Sequence, residues 1–264
     1  MKVPAFLCVC VLVAATAFAA PLQLVVPASA DALLRSVEPT LNYGLGGGLG
    51  ASGSAALNAT GEQMGLLDAL IRFDTAATVA LFDAAFPGGW DIQSAVLRIN
   101  EQARPNNAMY NQGQGDFEVL WLADDSWVEG TGTPKTPTTD GVSYGDLPAL
   151  LGPLDESLGT YPNNGPNAAD DFIDIFCSLS LASNFIDDIK NSGLLTFRLT
   201  AASDTLGLQF AAMQNKDDTS WPYLTLTADE AVVEPRVVPE PATLSLLGLG
   251  LAGCLRRRRR PRCA

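Results

Sequence analysis

Apolar and polar residues alternate along several segments of the chain, as in strands with one buried face and one solvated face. Clusters of glycine, asparagine, proline and aspartate separate these segments, which is typical of turns. This pattern predicts an all-β fold, an antiparallel jelly-roll-like β-sandwich. The predicted strands are residues 69–74, 92–101, 116–122, 172–177, 194–201, 206–213 and 223–228, and the predicted turns are 44–53, 87–89, 105–115 and 130–141.

Two short stretches have the pattern of a helix. Ser183 or Asn184 caps a predicted helix over residues 185–190, which Gly193 ends, and residues 146–151 form a predicted single turn. A signal helix and a hydrophobic tail helix are expected at the two ends of the chain. The alternation also predicts a core, with Phe73, Leu97, Ile99, Val119, Trp121, Phe197, Leu199 and Leu224 among its members.

The N-terminus, residues 1–20, has the order of parts found in a signal peptide. Lys2 precedes an apolar run from Ala5 to Val13, and Ala17-Phe18-Ala19 has the small-x-small shape that signal peptidase recognises. Cleavage is expected after Ala19 or Ala20. The run is too short for an ordinary membrane span. The sequence therefore predicts export.

The C-terminus, residues 239–264, has three parts in order. Pro239-Glu240-Pro241 comes first, an apolar segment follows over residues 242–255, and residues 256–262 are rich in arginine. An apolar helix of this length reaches about 21 Å, short of a hydrocarbon core of about 30 Å. The arginines favour the cytoplasmic side. We expect a temporary stop in the inner membrane, joined to the body by a linker at 229–238.

This tail resembles the PEP-CTERM sorting signal of Gram-negative bacteria that make exopolysaccharide. The resemblance rests on Val238 to Pro241, on the leucine- and glycine-rich stretch and on the terminal arginines. It implies processing by an exosortase, a membrane-embedded cysteine protease, near Pro239-Glu240-Pro241. The product would be released or transferred to a surface carrier. A permanent membrane anchor is the alternative for the same residues.

The body, residues 21–228, is strongly acidic. It holds eight Lys and Arg residues against 25 Asp and Glu, a formal net charge of −17 compared with −13 for the whole chain. Such a charge disfavours nucleic acids and anionic polysaccharides as partners and is compatible with neutral sugars or divalent cations. The arginine run of the tail lies beside an apolar segment, which does not fit nucleic-acid binding either.

The chain contains no histidine, which excludes Ser-His-Asp and Cys-His catalysis and histidine-based metal sites. Cys177 is the only cysteine of the body, so the body has no internal disulfide. Its apolar surroundings in the sequence favour a small buried hydrophobe over a nucleophile. Carboxylate chemistry, or a lyase that uses Tyr, Arg or Lys, remains open.

The order of motifs in the body resembles the DNRLRE family, a β-sandwich family that includes carbohydrate-binding modules. The resemblance covers roughly residues 30–228 and implies a sandwich fold. Val142-Ser143-Tyr144 departs from the T-W-n element of the family, residues 145–170 read as an insertion, and the acidic body differs from what alginate-binding members would need. The matching segments are Asp31 to Ser36, Asn42-Tyr43-Gly44, Leu70 to Asp74, Ile92 to Ile99, Asp125 to Gly130 and Trp221 to Leu226.

Trp127 and Glu129 are the most family-like candidates for carbohydrate binding. The indole of Trp127 could stack on a sugar face while Glu129 accepts a hydroxyl hydrogen bond. The structural alternative has Trp127 filling the core and Glu129 pairing with Arg72 or Arg98, as most sandwich motifs do. Three further tryptophans could serve the same purpose: Trp90, Trp121 and Trp221.

Asp170, Asp171 and Asp174 lie in an oxygen-rich stretch that suits Ca²⁺, although their spacing matches no EF-hand and a solvated loop is the alternative. No other cofactor is expected. Asp124-Asp125 and Asp187-Asp188 are interpreted as surface charge. A glycosidase pair among Glu118, Asp125 and Glu129 would need a carboxylate separation that sequence cannot supply.

Three functions follow from these patterns. The leading hypothesis is a non-catalytic protein of the cell surface or exopolysaccharide matrix, with signal peptidase and exosortase as processing partners and extracellular polysaccharide as a further candidate partner. A carbohydrate-binding module in its own right is the first alternative. A glycoside hydrolase or polysaccharide lyase is the second, and it requires a cleft with paired carboxylates or a Tyr/Arg pair.

Overall fold

The structure is a computed structural model, and it describes residues 20–58, 60–102, 113–165, 172–191 and 193–232. The chain divides after Glu230 into two units, and the elements below all belong to the first. The predicted signal helix, tail helix and sorting residues lie outside the described residues, as do Asp170 and Asp171. Among the residues described, no helix is long and apolar enough to cross a membrane.

The described part of the chain is mostly strand, which confirms the all-β prediction. Short helices interrupt it. Its strands are β1 (Leu22–Arg35), β2 (Gly48–Ser52), β3 (Leu67–Asp74), β4 (Trp90–Gln102), β5 (Gly115–Leu122), β6 (Glu156–Asn163), β7 (Phe172–Ser178), β8 (Leu194–Ala201), β9 (Gly207–Ala211) and β10 (Tyr223–Glu230). The helices are α1 (Ala76–Ala85), α2 (Leu147–Leu150) and α3 (Ser183–Asn191).

The strands pair antiparallel in the order β1-β10-β4-β9-β2-β3-β8-β5-β6, with β7 added on β4. Residues 22–27 of β1 pair with β10, and residues 28–35 pair with β3 after a register shift between Ala28 and Ala30. The shift lets one strand serve two partners, because a bulge bends a strand and increases its twist. The pairings thus form a ring, β1-β10-β4-β9-β2-β3, and this order is not clearly that of a jelly roll.

All eight predicted core residues are buried, none more than 4% exposed. They belong to the larger of two apolar clusters, in which the rings of Phe73 and Phe197 lie 5.5 Å apart. A smaller cluster includes Ala32, Leu34 and Trp127. Leu33 packs in the larger cluster while its neighbours pack in the smaller one, so β1 is covered on both faces.

Four elements lie where the sequence pattern did not predict them. The predicted turn at 44–53 contains β2, whose small residues pack with the core, and the predicted insertion at 145–170 contains β6. The strand β1 and the helix α1 were also not predicted. Both predicted helices are confirmed, as α3 and α2. Strand β10 extends to Glu230, two residues past the expected end of the domain.

Candidate functional site

The loop after β5 covers the smaller apolar cluster, and Trp127 anchors it. The Trp127 side chain is 5% exposed, and its indole Nε1 donates to Oγ1 of Thr196 at 2.9 Å. The guanidinium of Arg72 lies over the ring, with its central carbon 4.2 Å from the ring centroid. Nη2 of Arg72 donates to the carbonyls of Asp125, at 2.6 Å, and of Trp127. These contacts favour the packing interpretation of Trp127 over sugar stacking.

Glu129 has partners that the sequence did not suggest. Its Oε1 accepts hydrogen bonds from the amide of Asp31 at 3.0 Å and from Nε2 of Gln214 at 2.8 Å. Arg98, one of the two arginines considered for it, pairs with Asp174 instead. Burial lowers the pKa of Arg72 and the charge of Glu129 opposes this shift, but the hydrogen bonds of Arg72 go to backbone carbonyls. Glu129 therefore joins the loop to β1 and to the turn after β9.

Asn42 holds the same loop from the other side. It is fully buried, and its Nδ2 donates to the carbonyls of Glu129 and Val142 at 2.7 and 2.8 Å. Its Oδ1 accepts from the amides of Gly44 and Gly132 at 3.1 and 3.0 Å. All four hydrogen-bonding positions of the amide are thus used. The Asn42-Tyr43-Gly44 and Asp125-to-Gly130 segments, distant in sequence, are in direct contact.

The close approach of Gly44 to Glu129 leads to a stability prediction. A Cβ at Gly44 would lie 1.9 Å from the carbonyl oxygen of Glu129, whereas a Cβ at Gly47 would meet nothing closer than 3.9 Å. We expect Gly44→Ala to lower the free energy of unfolding by about 1–3 kcal/mol, as overpacking does. Gly47→Ala, the matched control, should stay within about 0.5 kcal/mol of the wild type in urea unfolding. Equal effects at both positions would contradict the contact.

Asp31 is a buried carboxyl beside the Glu129 carboxylate. Its side chain is fully buried, and its Oδ2 accepts from the amide of Met213 at 2.6 Å. Burial raises the pKa of Asp31 from 3.8 to about 8, the Met213 amide opposes this, and the charge of Glu129 adds to it. At neutral pH without a bound cation the carboxyl therefore holds a proton that it would lose on unfolding.

Because the folded protein holds this proton and the unfolded chain does not, we expect the stability to depend on pH. The folded pKa of Asp31 lies above the unfolded value, so its contribution is complete in acid and is lost as the pH rises from about 4 to about 8. In a buffer without divalent cations, we expect the free energy of unfolding to fall by about 1.4 kcal/mol per pH unit between about pH 6 and pH 8 from this group. Urea unfolding at both pH values should show that Asp31→Asn lacks this slope and that the exposed control Asp187→Asn retains it. An unchanged slope in Asp31→Asn would assign the pH dependence to other groups.

Asp174 is the one residue of the predicted calcium set within the described ranges, and its carboxylate already has hydrogen-bonding partners. Its Oδ1 lies 2.5 Å from Nη2 of Arg98 and accepts from Nδ2 of Asn100 at 2.8 Å. A cation there would have to compete with the arginine for the same oxygen. Within the described ranges, no group of three or more Asp, Glu or Cys residues is arranged to hold a metal ion.

The three carboxylates considered for a glycosidase pair have different surroundings. Glu118 on β5 accepts from Oγ of Ser157 at 2.5 Å. Burial raises the pKa of Asp125 to about 6, Thr196 lowers it by a hydrogen bond, and Asp188 raises it. Glu129 binds Asp31 and Gln214. Burial lowers the pKa of Arg72, and the charges of Asp125 and Glu129 oppose this shift. Glu118 has no such effect on Arg72.

The remaining candidates are also held by internal contacts. Trp90 and Trp121 are buried and donate from Nε1 to Asp83 and Asp188, each at 2.8 Å. Trp221 is half-buried and donates to the carbonyl of Asn215 at 2.9 Å. Burial raises the pKa of Cys177 to about 12, so its thiol stays protonated at neutral pH, as expected of a small buried hydrophobe.

The body thus presents a loop held by internal contacts, and the remaining candidate residues belong to the tail. Residues 237–260 match the PEP-CTERM protein-sorting motif. The sorting motif includes Pro239, Glu240 and Pro241, and it implies export, processing by an exosortase and membrane-associated sorting at the C-terminus. The chain matches no curated protein, and the DNRLRE resemblance of residues 30–228 is not confirmed by these comparisons.

Sequence reasoning located the Trp127 loop and named Arg72, but it missed the other residues that hold the loop. Asn42 and Asp31 stood within the motifs that carry the resemblance, so their positions could have been singled out. Nothing in the sequence around Gln214 indicated a role in holding this loop. Its contact with Glu129 joins residues 85 positions apart, and local pattern gives no indication of such a pairing.

Proposed function

We propose that this exported, exosortase-sorted protein is a non-catalytic component of the cell surface or of the exopolysaccharide matrix. The sorting motif at residues 237–260 carries the proposal. The absence of histidine from the sequence and the protonated, buried Cys177 thiol support a non-catalytic role, since neither nucleophilic triad chemistry nor a thiolate is at hand. The acidic body supports solubility outside the cell.

We further propose that the body is a DNRLRE-type domain related to jelly-roll-like sandwiches. The support comes from contacts between the segments that carry the resemblance. Asn42 binds the backbone at Glu129, Arg72 lies on Trp127, and the Asp31 amide binds the Glu129 carboxylate. A motif whose members contact one another across the fold is explained by packing, which can persist while ligands differ.

Cell fractionation of the native host tests the leading proposal. The untagged protein should appear in the surface or matrix fraction, and enzymatic digestion of the exopolysaccharide should release it. A variant that ends before the sorting motif, at residue 236, is the matched control and should leave the matrix fraction for the medium. Protein found only in the cytoplasm would refute the proposal, and a purified body that cleaves matrix polysaccharide would refute its non-catalytic part.

Carbohydrate binding is a second candidate, favoured by one cavity of the body. The cavity has a volume of about 160 Å³, and its lining includes Tyr144, Arg198, Asp68 and Thr200. Nη2 of Arg198 lies 2.9 Å from Oδ2 of Asp68, which is buried. An aromatic ring beside fixed hydrogen-bonding groups is the combination that orients a small polar ligand such as a neutral sugar unit.

A glycan array with the purified protein, with and without calcium, tests this second function. If a neutral glycan binds, Tyr144→Ala and Arg198→Lys should abolish or strongly weaken the signal. Phe176→Ala is the matched control, because Phe176 is an exposed aromatic residue of β7 that does not line the cavity. An array without any binder would exclude the module, and equal losses in all three variants would exclude this cavity.

A further inference from the structure

Two buried oxygen atoms beside Glu129 lack partners. Oδ1 of Asp31 and Oε1 of Gln214 are both inaccessible to solvent and accept no hydrogen bond. A buried polar atom without a partner is costly, and native proteins usually provide a water, a proton or an ion for it. The Asp31 side chain is fully buried, so the cost is greatest there.

The hydrogen bonds of Glu129 bring the two residues that carry these oxygens together. Oε1 of Glu129 accepts from the amide of Asp31 and from Nε2 of Gln214, so both residues lie against the same carboxylate. The Nε2 bond also fixes the orientation of the Gln214 amide. The Met213 amide occupies Oδ2 of Asp31, which leaves Oδ1 as its free ligand atom.

The charges around this place favour a cation. Asp31 and Glu129 are adjacent carboxyls, and no Lys or Arg of the described chain forms an ion pair with either of them. The charges of Arg72 and Glu129 interact, but the hydrogen bonds of Arg72 go to the backbone of the loop. Carboxylate and amide oxygens are the ligands that Ca²⁺ takes in proteins, with carbonyls and waters completing its shell.

We propose that Asp31, Glu129 and Gln214 form a Ca²⁺ site that joins β1, the loop after β5 and the turn after β9. The site combines two carboxylates with an amide oxygen and includes none of the residues considered for calcium from the sequence, Asp170, Asp171 and Asp174. The ion stabilises the folded state, because it binds the arrangement that only the folded chain provides.

Calorimetric titration of the chelator-treated full chain with CaCl₂, in mild detergent at about pH 8, tests the site. We expect one calcium equivalent to bind and the melting temperature to rise. Asp31→Asn should weaken binding at least about tenfold and lose the thermal shift. Asp187→Asn removes an exposed carboxylate of the same acidic body and should behave as the wild type. If Asp31→Asn does not fold, Gln214→Leu replaces it, because Gln214 is only half-buried.

Three results would overturn the proposal. One is a wild-type chain with no thermal shift at about 5 mM CaCl₂, above the weakest dissociation constants of extracellular calcium modules, about 1 mM. The orphaned oxygens would then bind no cation. The second is calcium binding that Asp31→Asn, or Gln214→Leu in its place, leaves unchanged. The third is an equal loss in Asp187→Asn, which would indicate diffuse binding to the acidic surface.

Discussion

Replacing Glu240 by Ala is expected to leave export intact and to trap a larger, membrane-bound form of the protein. Two prolines flank Glu240 in the sorting motif, and each lacks an amide donor and biases its predecessor away from helix. The segment should therefore reach the protease extended, with Glu240 as its charged feature. The mature wild-type chain should end near residue 238 and lose all the arginines of residues 256–262.

Intact-mass measurement of protein from the native host checks this expectation. Glu234→Ala is the matched control, since Glu234 also precedes a proline but lies outside the matched residues 237–260. It should be processed as the wild type is. A wild-type surface fraction that still ends at Ala264 would contradict processing, and complete processing of Glu240→Ala would remove Glu240 from the recognition element.

Replacing Phe73 by Ala is expected to lower the free energy of unfolding by about 3–5 kcal/mol. Phe73 is fully buried on β3, and its ring packs against that of Phe197 on β8. The substitution removes both the transfer free energy of the ring and its contacts with the neighbours that remain. Such a loss is a large share of the stability of a domain of this size.

Phe176→Ala provides the control, because the Phe176 side chain on β7 is 58% exposed. We expect its effect to stay within about 0.5 kcal/mol in the same urea titration. A loss below about 1 kcal/mol for Phe73→Ala would mean that the ring is exposed and that the register of β3 is shifted by one residue. Equal losses for both variants would contradict the assignment of inner and outer faces.

The strands that the sequence predicted best are those with one solvent-exposed face. The strand β8 matches its predicted range, and β10 alternates between half-buried and buried positions along most of its length. The strand β1 was not predicted because residues 30–34 are all buried between the two apolar clusters. In its first half, where burial alternates, the exposed position 25 holds the apolar Val25. The strand β2 was not predicted because its glycines and small residues resemble those of a turn.

The sequence predicted where the candidate site lies but not which residues form its contacts. The resemblance carried by Asp125 to Gly130 drew attention to the loop, yet the roles of its residues depend on contacts that no local pattern carries. The Met213 amide and Asp31 meet across 182 positions of sequence, and Asn42 and Glu129 across 87. The unpartnered oxygens of Asp31 and Gln214 become visible only when burial is known atom by atom.

The position of β10 determines when the protein can finish folding. A chain exported from its N-terminus delivers β1 first, but residues 22–27 of β1 pair only with β10, the last strand before the tail. Until Glu230 has crossed the membrane, β10 is missing from its position between β1 and β4. The amides and carbonyls of β1 and β4 that pair with β10 are then unpaired. Closure is thus coupled to the completion of translocation, and a chain interrupted before β10 exposes two strand edges to proteases and to neighbouring chains.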